Sequence, residues 1–321
     1  MLAEFHYQGS MQGVPDFSFP SLATYVRETR EKLQAPLVVQ EYAVAGEREG
    51  AKKVLEIIRE KPYQQRSYIG NEIKRINDSF QEGTLRPVPF GEYPELYKAA
   101  QFTVKVSRQF AKMDVIIQIY REKVLEDRFQ ALAVGYLDKG WLFISERFFM
   151  HPNTEMLKNA EVCFLLGHEL GHAQCRHTTI EQLNGVTLGV NVEYSADRAG
   201  LLVCAKWLLE ESALSDPAQA IEQAVLCGIA ALEKITLAYA GFIDWRSFDY
   251  NEVAGQLKAW RDAPTSLGPD VFDHPADERR GLAMYYFSQS AMFWRLLGLE
   301  PREGLLTDAL LQDLMNTLLK K

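Results

Sequence analysis

The stretch CFLLGHELGHAQCRH, residues 163 to 177, constrains this chain more than any other. It holds three of the six histidines and two of the four cysteines in a segment that otherwise reads as a buried helix. Imidazoles and carboxylates cost free energy when buried unless they find partners. A chain that folds this segment inward must therefore fold something around it that satisfies them.

His168-Glu169-Leu170-Gly171-His172 is an H-E-x-x-H pattern. Four residues on a helix is just over one turn, so both imidazoles project from one face, with Glu169 about 100° round from His168. In the metalloprotease reading the histidines bind zinc and Glu169 takes a proton from the attacking water. The pattern arises by chance in about one chain of this length in a hundred, and the alternative is a pair of ordinary hydrogen-bonded histidines. Neighbouring residues favour an interior site, because Cys163, Phe164, Leu165, Leu166 and Leu170 make the helix apolar on most sides.

A catalytic zinc site needs a third protein ligand and an open position for water. VEYSADRAGLL, residues 192 to 202, supplies the best candidate. There Glu193 opens a second helix and Asp197 follows one turn later on the same face. Glu193 can bind the metal while Asp197 accepts the free N–H of a ligating histidine and fixes its tautomer. Ala196, Ala199 and Gly200 are small enough to let the two helices approach closely. The alternative is a solvated helical start with ordinary acidic bias at its N-terminus. Cys175 shares the face of the histidines, but as a ligand it would need the metal shared over two turns, so it reads as a buried thiol. His177 lies about 140° from His172 and suits the negative end of the helix dipole, not the metal.

Elsewhere the sequence reads as an α+β protein, helix-rich with a small sheet. Helical patterns run over 21–34, 47–60 and 63–80, with a short apolar run, PLVVQEY, between the first two. GTLRPVPFGEYP, residues 83 to 94, has three prolines and two glycines and is the best candidate for a boundary, or else a long loop. Residues 95–112 read as helix and 114–120 and 130–137 as strands, with 138–140 as a hairpin turn into a strand over 141–145. Helices follow over 154–177, 192–210, 217–240, 246–262, 275–297 and 302–320. This divides the chain into a helical region of unassigned role, 1–92, and a second domain, 93–321.

With 47% hydrophobic and 24% charged residues, general disorder is excluded. A net charge of −8 argues against nucleic acid or an anionic membrane as partner. Glu233 and Lys234 interrupt the longest apolar run, 224–243, so it reads as a core helix and no membrane span is expected. The N-terminal segment lacks the pattern of a secretory signal, and four cysteines in a chain this long fit free thiols; both point to the cytoplasm.

LGHELGHAQCRH followed by EYSADRAGLL resembles the M48 family of zinc metallopeptidases, a gluzincin group with membrane-bound and soluble members. The likeness covers about residues 95 to 285. It implies a zincin-like domain with one Zn2+ per chain, His168, His172 and Glu193 as ligands, Glu169 as general base and Asp197 as support. It also implies a role for HPADERR, residues 274 to 280: His274 near the active site as a donor to the developing oxyanion, and Arg280 close by. In that family, strands equivalent to 130–145 border the cleft, where an extended peptide would bind by strand addition. The alternative is a hairpin occupied wholly within its own sheet. Only 20 residues separate His172 from Glu193, shorter than in many M48 proteins, which suits a soluble enzyme. The expected function is zinc-dependent hydrolysis of peptide bonds. The alternatives are a regulatory or peptide-binding protein retaining the fold with structural zinc, and a metal-dependent hydrolase of small amides.

Overall fold

A computed structural model describes residues 62–111, 114–122, 131–136, 139–149, 159–175, 192–212, 214–239, 249–264 and 275–319. The patterns read over 21–34, 47–60 and PLVVQEY lie outside the described residues.

The described part is helix-rich with one four-stranded mixed sheet, as an α+β reading requires. Helix α1 (Pro62–Gln81) leads into β1 (Leu85–Pro87), and α2 (Pro94–Ala111) into β2 (Asp114–Glu122), β3 (Ala131–Tyr136) and β4 (Lys139–Ser145). The sheet order is β1-β2-β4-β3. β2 runs parallel to β4, while β1 and β3 are antiparallel to their neighbours. The short strand β1 falls within the proline-rich 83–94 stretch and was not expected there. Its Pro87 has no N–H to donate, which confines it to a sheet edge. The register pairs Tyr136 with Lys139, so Lys139 and Gly140 belong to β4 and not to the hairpin turn.

Alternation along β2 explains how the sheet is covered on both sides. Val115, Ile117 and Ile119 are fully buried on one face and join the main core. On the other face Tyr120 meets Phe80 of α1 edge-on, with ring centroids 6.4 Å apart. Ile73, Ile76 and Phe80, at helical spacing, are the buried side of α1.

The remaining helices are α3 (Asn159–Cys175), α4 (Val192–Glu211), α5 (Pro217–Tyr239), α6 (Tyr250–Asp262), α7 (Asp277–Ser288), α8 (Ala291–Leu296) and α9 (Asp308–Leu319). α3 lies between β3, β4 and α2 on one side and α4 and α5 on the other. Buried from every direction, it is apolar nearly all round, as is α4. The helix expected over 275–297 is two helices, because Ser290 leaves the helical path. Its hydroxyl accepts the Phe293 N–H as an N-cap, and it forms a bridge to Leu306. A turn at 303–304, in which Gly304 takes a positive φ, leads into Leu306 of that bridge, so the last helix begins at Asp308, capped by Thr307 through the Leu310 N–H, instead of at 302.

Glu233 and Lys234 do sit within the apolar α5, and Lys234 is buried there against Glu161 of α3 at 2.7 Å. Tyr250 of α6 donates to the other oxygen of Glu161 at 2.8 Å. Three helices are thereby tied by one buried carboxylate. Cys163, Cys204 and Cys227 are free and buried. Among the described residues no helix is long and apolar enough to cross a membrane.

Candidate metal centre

The site begins with the closeness of α3 and α4. A Cβ placed on Gly200 would lie 2.6 Å from the Phe164 carbonyl oxygen, and one on Gly171 2.8 Å from the Ala196 Cα. One on Gly167 would meet Val203 at 2.8 Å. Glycine is therefore required at these crossings, and the helices pack backbone to backbone. Ala196, Ala199 and Gly200 play the part expected of them. Gly167 and Gly171, four apart on the facing helix, were not singled out from the sequence, although that small-residue spacing is its visible signal.

This close approach carries Glu193 and Asp197 to the histidines. The Nε2 atoms of His168 and His172 are 3.2 Å apart. Glu193 places one carboxylate oxygen 3.4 Å from His168 Nε2 and the other 3.6 Å from His172 Nε2. One donor atom from each of the three residues lies within 4.8 Å of the others, a grouping that could hold a metal ion. His168 and Glu193 are buried, whereas His172 is half-buried on the more open side.

Behind this triad Asp197 Oδ1 lies 3.0 Å from His168 Nδ1. In the neutral ring, an Nδ1–H donated to that carboxylate leaves the Nε2 lone pair facing the triad. Asp197 is itself held by Arg280 of α7, whose Nε donates at 2.8 Å and Nη2 at 2.6 Å. Arg280 also reaches Glu193, at 3.4 Å. All three of these groups are buried, so the carboxylates are fixed by charge-assisted bonds inside the protein.

The electrostatics follow. Burial opposes ionisation of Glu193, but His172, His168 and Arg280 outweigh it and hold its carboxyl well below the usual range. Burial likewise opposes ionisation of Asp197, and Arg280 and His168 reverse it. Burial disfavours the imidazolium of His168, yet the bonds to Asp197 and Glu193 raise it to about 9. Glu169 differs from its neighbours: burial pushes its carboxyl up, with His168 and Arg280 opposing and Glu193 adding to the rise. One carboxylate is thus kept ionised, as a metal ligand has to be, and the other is shifted upward.

Of the residues expected at the site, His168, Glu169, His172, Glu193, Asp197 and Arg280 converge. His274 lies outside the described residues, as does His177; the neighbouring Pro275 is buried and precedes α7 by two residues. Cys175 ends α3. No family model, curated protein or solved structure matches this chain. The chemistry of the site therefore carries the functional reading.

Proposed function

We propose that the chain is a zinc-dependent endopeptidase of the M48 type with a zincin-like catalytic domain. The observation that carries this reading is the convergence of His168, His172 and Glu193 from two helices beside Glu169. Zinc suits the donor set. Bonds of about 2.0–2.1 Å in a tetrahedral array put ligand atoms about 3.4 Å apart; the two Nε2 atoms are 3.2 Å apart, and Glu193 reaches them with one oxygen each, at 3.4 and 3.6 Å, so one donor atom from each residue lies within 4.8 Å of the others. Two imidazoles and one carboxylate also leave a fourth position for water, the pattern of catalytic and not structural sites.

When bound, zinc supplies Lewis acidity that polarises the scissile carbonyl and lowers the pKa of water toward neutrality. The side chains do the rest. Glu169, its carboxyl raised by burial, accepts the proton of the attacking water and delivers it to the departing amine. Asp197 and Arg280 hold His168 in one tautomer and one orientation. The resemblance to M48 sequences gives His274 the role of donor to the developing oxyanion. The edge strand β3 borders α3, which suits binding of an extended peptide alongside the site by strand addition.

The test compares wild type with Glu169→Gln by metal analysis and by cleavage of casein or a peptide library. Both proteins should carry one zinc per chain, and the variant should lose about 10²–10⁴-fold in rate. Undiminished cleavage by the variant would refute the assignment of the base, and no zinc in a protein purified from zinc-replete medium would refute the ligand set.

A further inference from the structure

Away from the metal centre, a cavity of about 340 Å³ opens between the first turns of α5, the last turns of α6 and the end of α7. That volume is within the range of small-molecule sites. Its floor is apolar, formed by Val225, Leu226 and Leu257, all buried. Its rim is charged and asymmetric. α5 contributes Glu222, with Asp216 just ahead of it, whereas α6 contributes Lys258 and Arg261 and the loop before α9 contributes Arg302.

The two arginines are held in an informative way. Arg261 lies over the Tyr285 ring at 4.2 Å and Arg302 over the Trp294 ring at 5.2 Å. A guanidinium held over an aromatic ring is positioned without a counter-charge, so its N–H fork keeps its affinity for an oxyanion. Neither arginine forms an ion pair with a carboxylate among the described residues, although Asp and Glu outnumber Lys and Arg by 43 to 35 in the chain. Lys258 is paired with Asp262 at 2.5 Å, which occupies one of its donors. Asp216 is also committed, accepting the Ala218 N–H at 3.0 Å as the cap of α5.

We propose that this cavity binds a small organic oxyanion, a carboxylate or phosphate carried on an apolar body. Arg261 and Arg302 grip the oxyanion through their in-plane donors, and Val225, Leu226 and Leu257 cover the apolar part. Glu222 on the opposite wall opposes a second negative charge, so the site takes a ligand charged at one end. None of the metal-centre residues lines this cavity, so the site stands whether or not the chain is a peptidase.

Calorimetric titration of the full chain with benzoate, phenyl phosphate and neutral benzamide tests this. At least one anionic probe should bind saturably and benzamide should not; the tighter of the two anions tells a carboxylate site from a phosphate site. Arg261→Gln should weaken binding about tenfold or more, the loss of a charge-assisted bond. Glu222→Gln should strengthen it about twofold by removing a nearby like charge, a gain that misfolding cannot mimic. Arg295→Gln, an exposed site outside the cavity, should change nothing. The proposal is overturned if neither anion binds saturably, if benzamide binds as well as benzoate, or if both Arg261→Gln and Glu222→Gln bind as wild type does.

Discussion

His168 shows how much of a site one side chain can encode. Its Nε2 faces His172 and Glu193, while its Nδ1 is tied to Asp197, which Arg280 clamps through two bonds. Replacing Asp197 by Asn keeps the shape but removes the charge. Zinc affinity should fall about 10–100-fold, and stability by about 3 kcal/mol because Arg280 stays buried without its main counter-charge. Competition with a chromophoric chelator and urea melts would measure the two effects; affinity equal to wild type would refute the orienting role. The pairs His168 and His172, and Glu193 and Asp197, were legible because helical spacing puts each pair on one face, and the resemblance to M48 sequences joined the two pairs and added Glu169. The Arg280–Asp197 contact was not, since 83 residues separate the partners and no periodicity links them. Glu233 gives a pH prediction away from the candidate metal centre. Burial, helped by Asp277 and Glu278, raises its carboxyl from 4.5 to about 7. Between those values the folded protein holds more protons than the unfolded chain, so stability falls as pH rises through the window and the full penalty applies above it. Glu233→Gln should therefore leave stability unchanged at pH 4 and raise it at pH 8, by about 1–2 kcal/mol after allowing for partial exposure. Urea melts at both pH values would show it; a gain of equal size at pH 4 would point to packing instead of charge.

At the scale of elements, the helix pair α3–α4 sets the precision of the site, and glycine sets the helix pair. Gly200→Ala would drive a methyl toward the Phe164 carbonyl, a backbone atom that cannot yield without moving α3. The expected cost is about 1–3 kcal/mol from overpacking, with weakened zinc binding because Glu193 moves with α4. Gly255 in α6 is the control: nothing lies within 4 Å of a Cβ there, and the residue is exposed. Gly255→Ala should stabilise by about 0.5–1 kcal/mol, the ordinary helical preference for alanine. Thermal melts of both variants would separate the crossing from the propensity, and a neutral Gly200→Ala would mean the helices can part freely. The same scale shows where sequence patterns run out. Continuous apolar character located α4, and apolar periodicity α5, nearly to their described ends, and the former also covers the described length of α3, but the helical pattern continues through Ser290, where a side-chain cap and a bridge to Leu306 break the helix. β1 is three residues long and contains a proline, so it has no alternation to detect. It exists because β2 offers it an edge.

At the scale of the whole molecule, the candidate metal centre is embedded in a continuous core instead of resting on a loop framework. α3 is packed by the sheet, α2, α4 and α5 together, and the Glu161–Lys234–Tyr250 cluster ties it further to α5 and α6. The α+β class was readable because a few strands precede many helices. The order of the strands was not, since parallel pairing of β2 with β4 depends on β3 turning back at the edge. This architecture separates two roles a metal can play. In small zinc domains the apo chain unfolds, because coordination replaces a core. Here His168, His172 and Glu193 are carried by helices packed within the core, so chelation should leave the far-ultraviolet circular dichroism essentially unchanged at 25 °C. It should still lower stability, because an ion bound only by the folded triad contributes RT ln(1 + [L]/Kd), about 4 kcal/mol at a thousandfold excess over Kd. Urea melts with and without 1,10-phenanthroline, followed by zinc readdition, would measure this. The expected result is a lower midpoint with unchanged helicity, restored by zinc. Collapse of the helical signal on chelation would show instead that the ion holds the fold together, and an unmoved midpoint would show that His168, His172 and Glu193 hold no ion in solution.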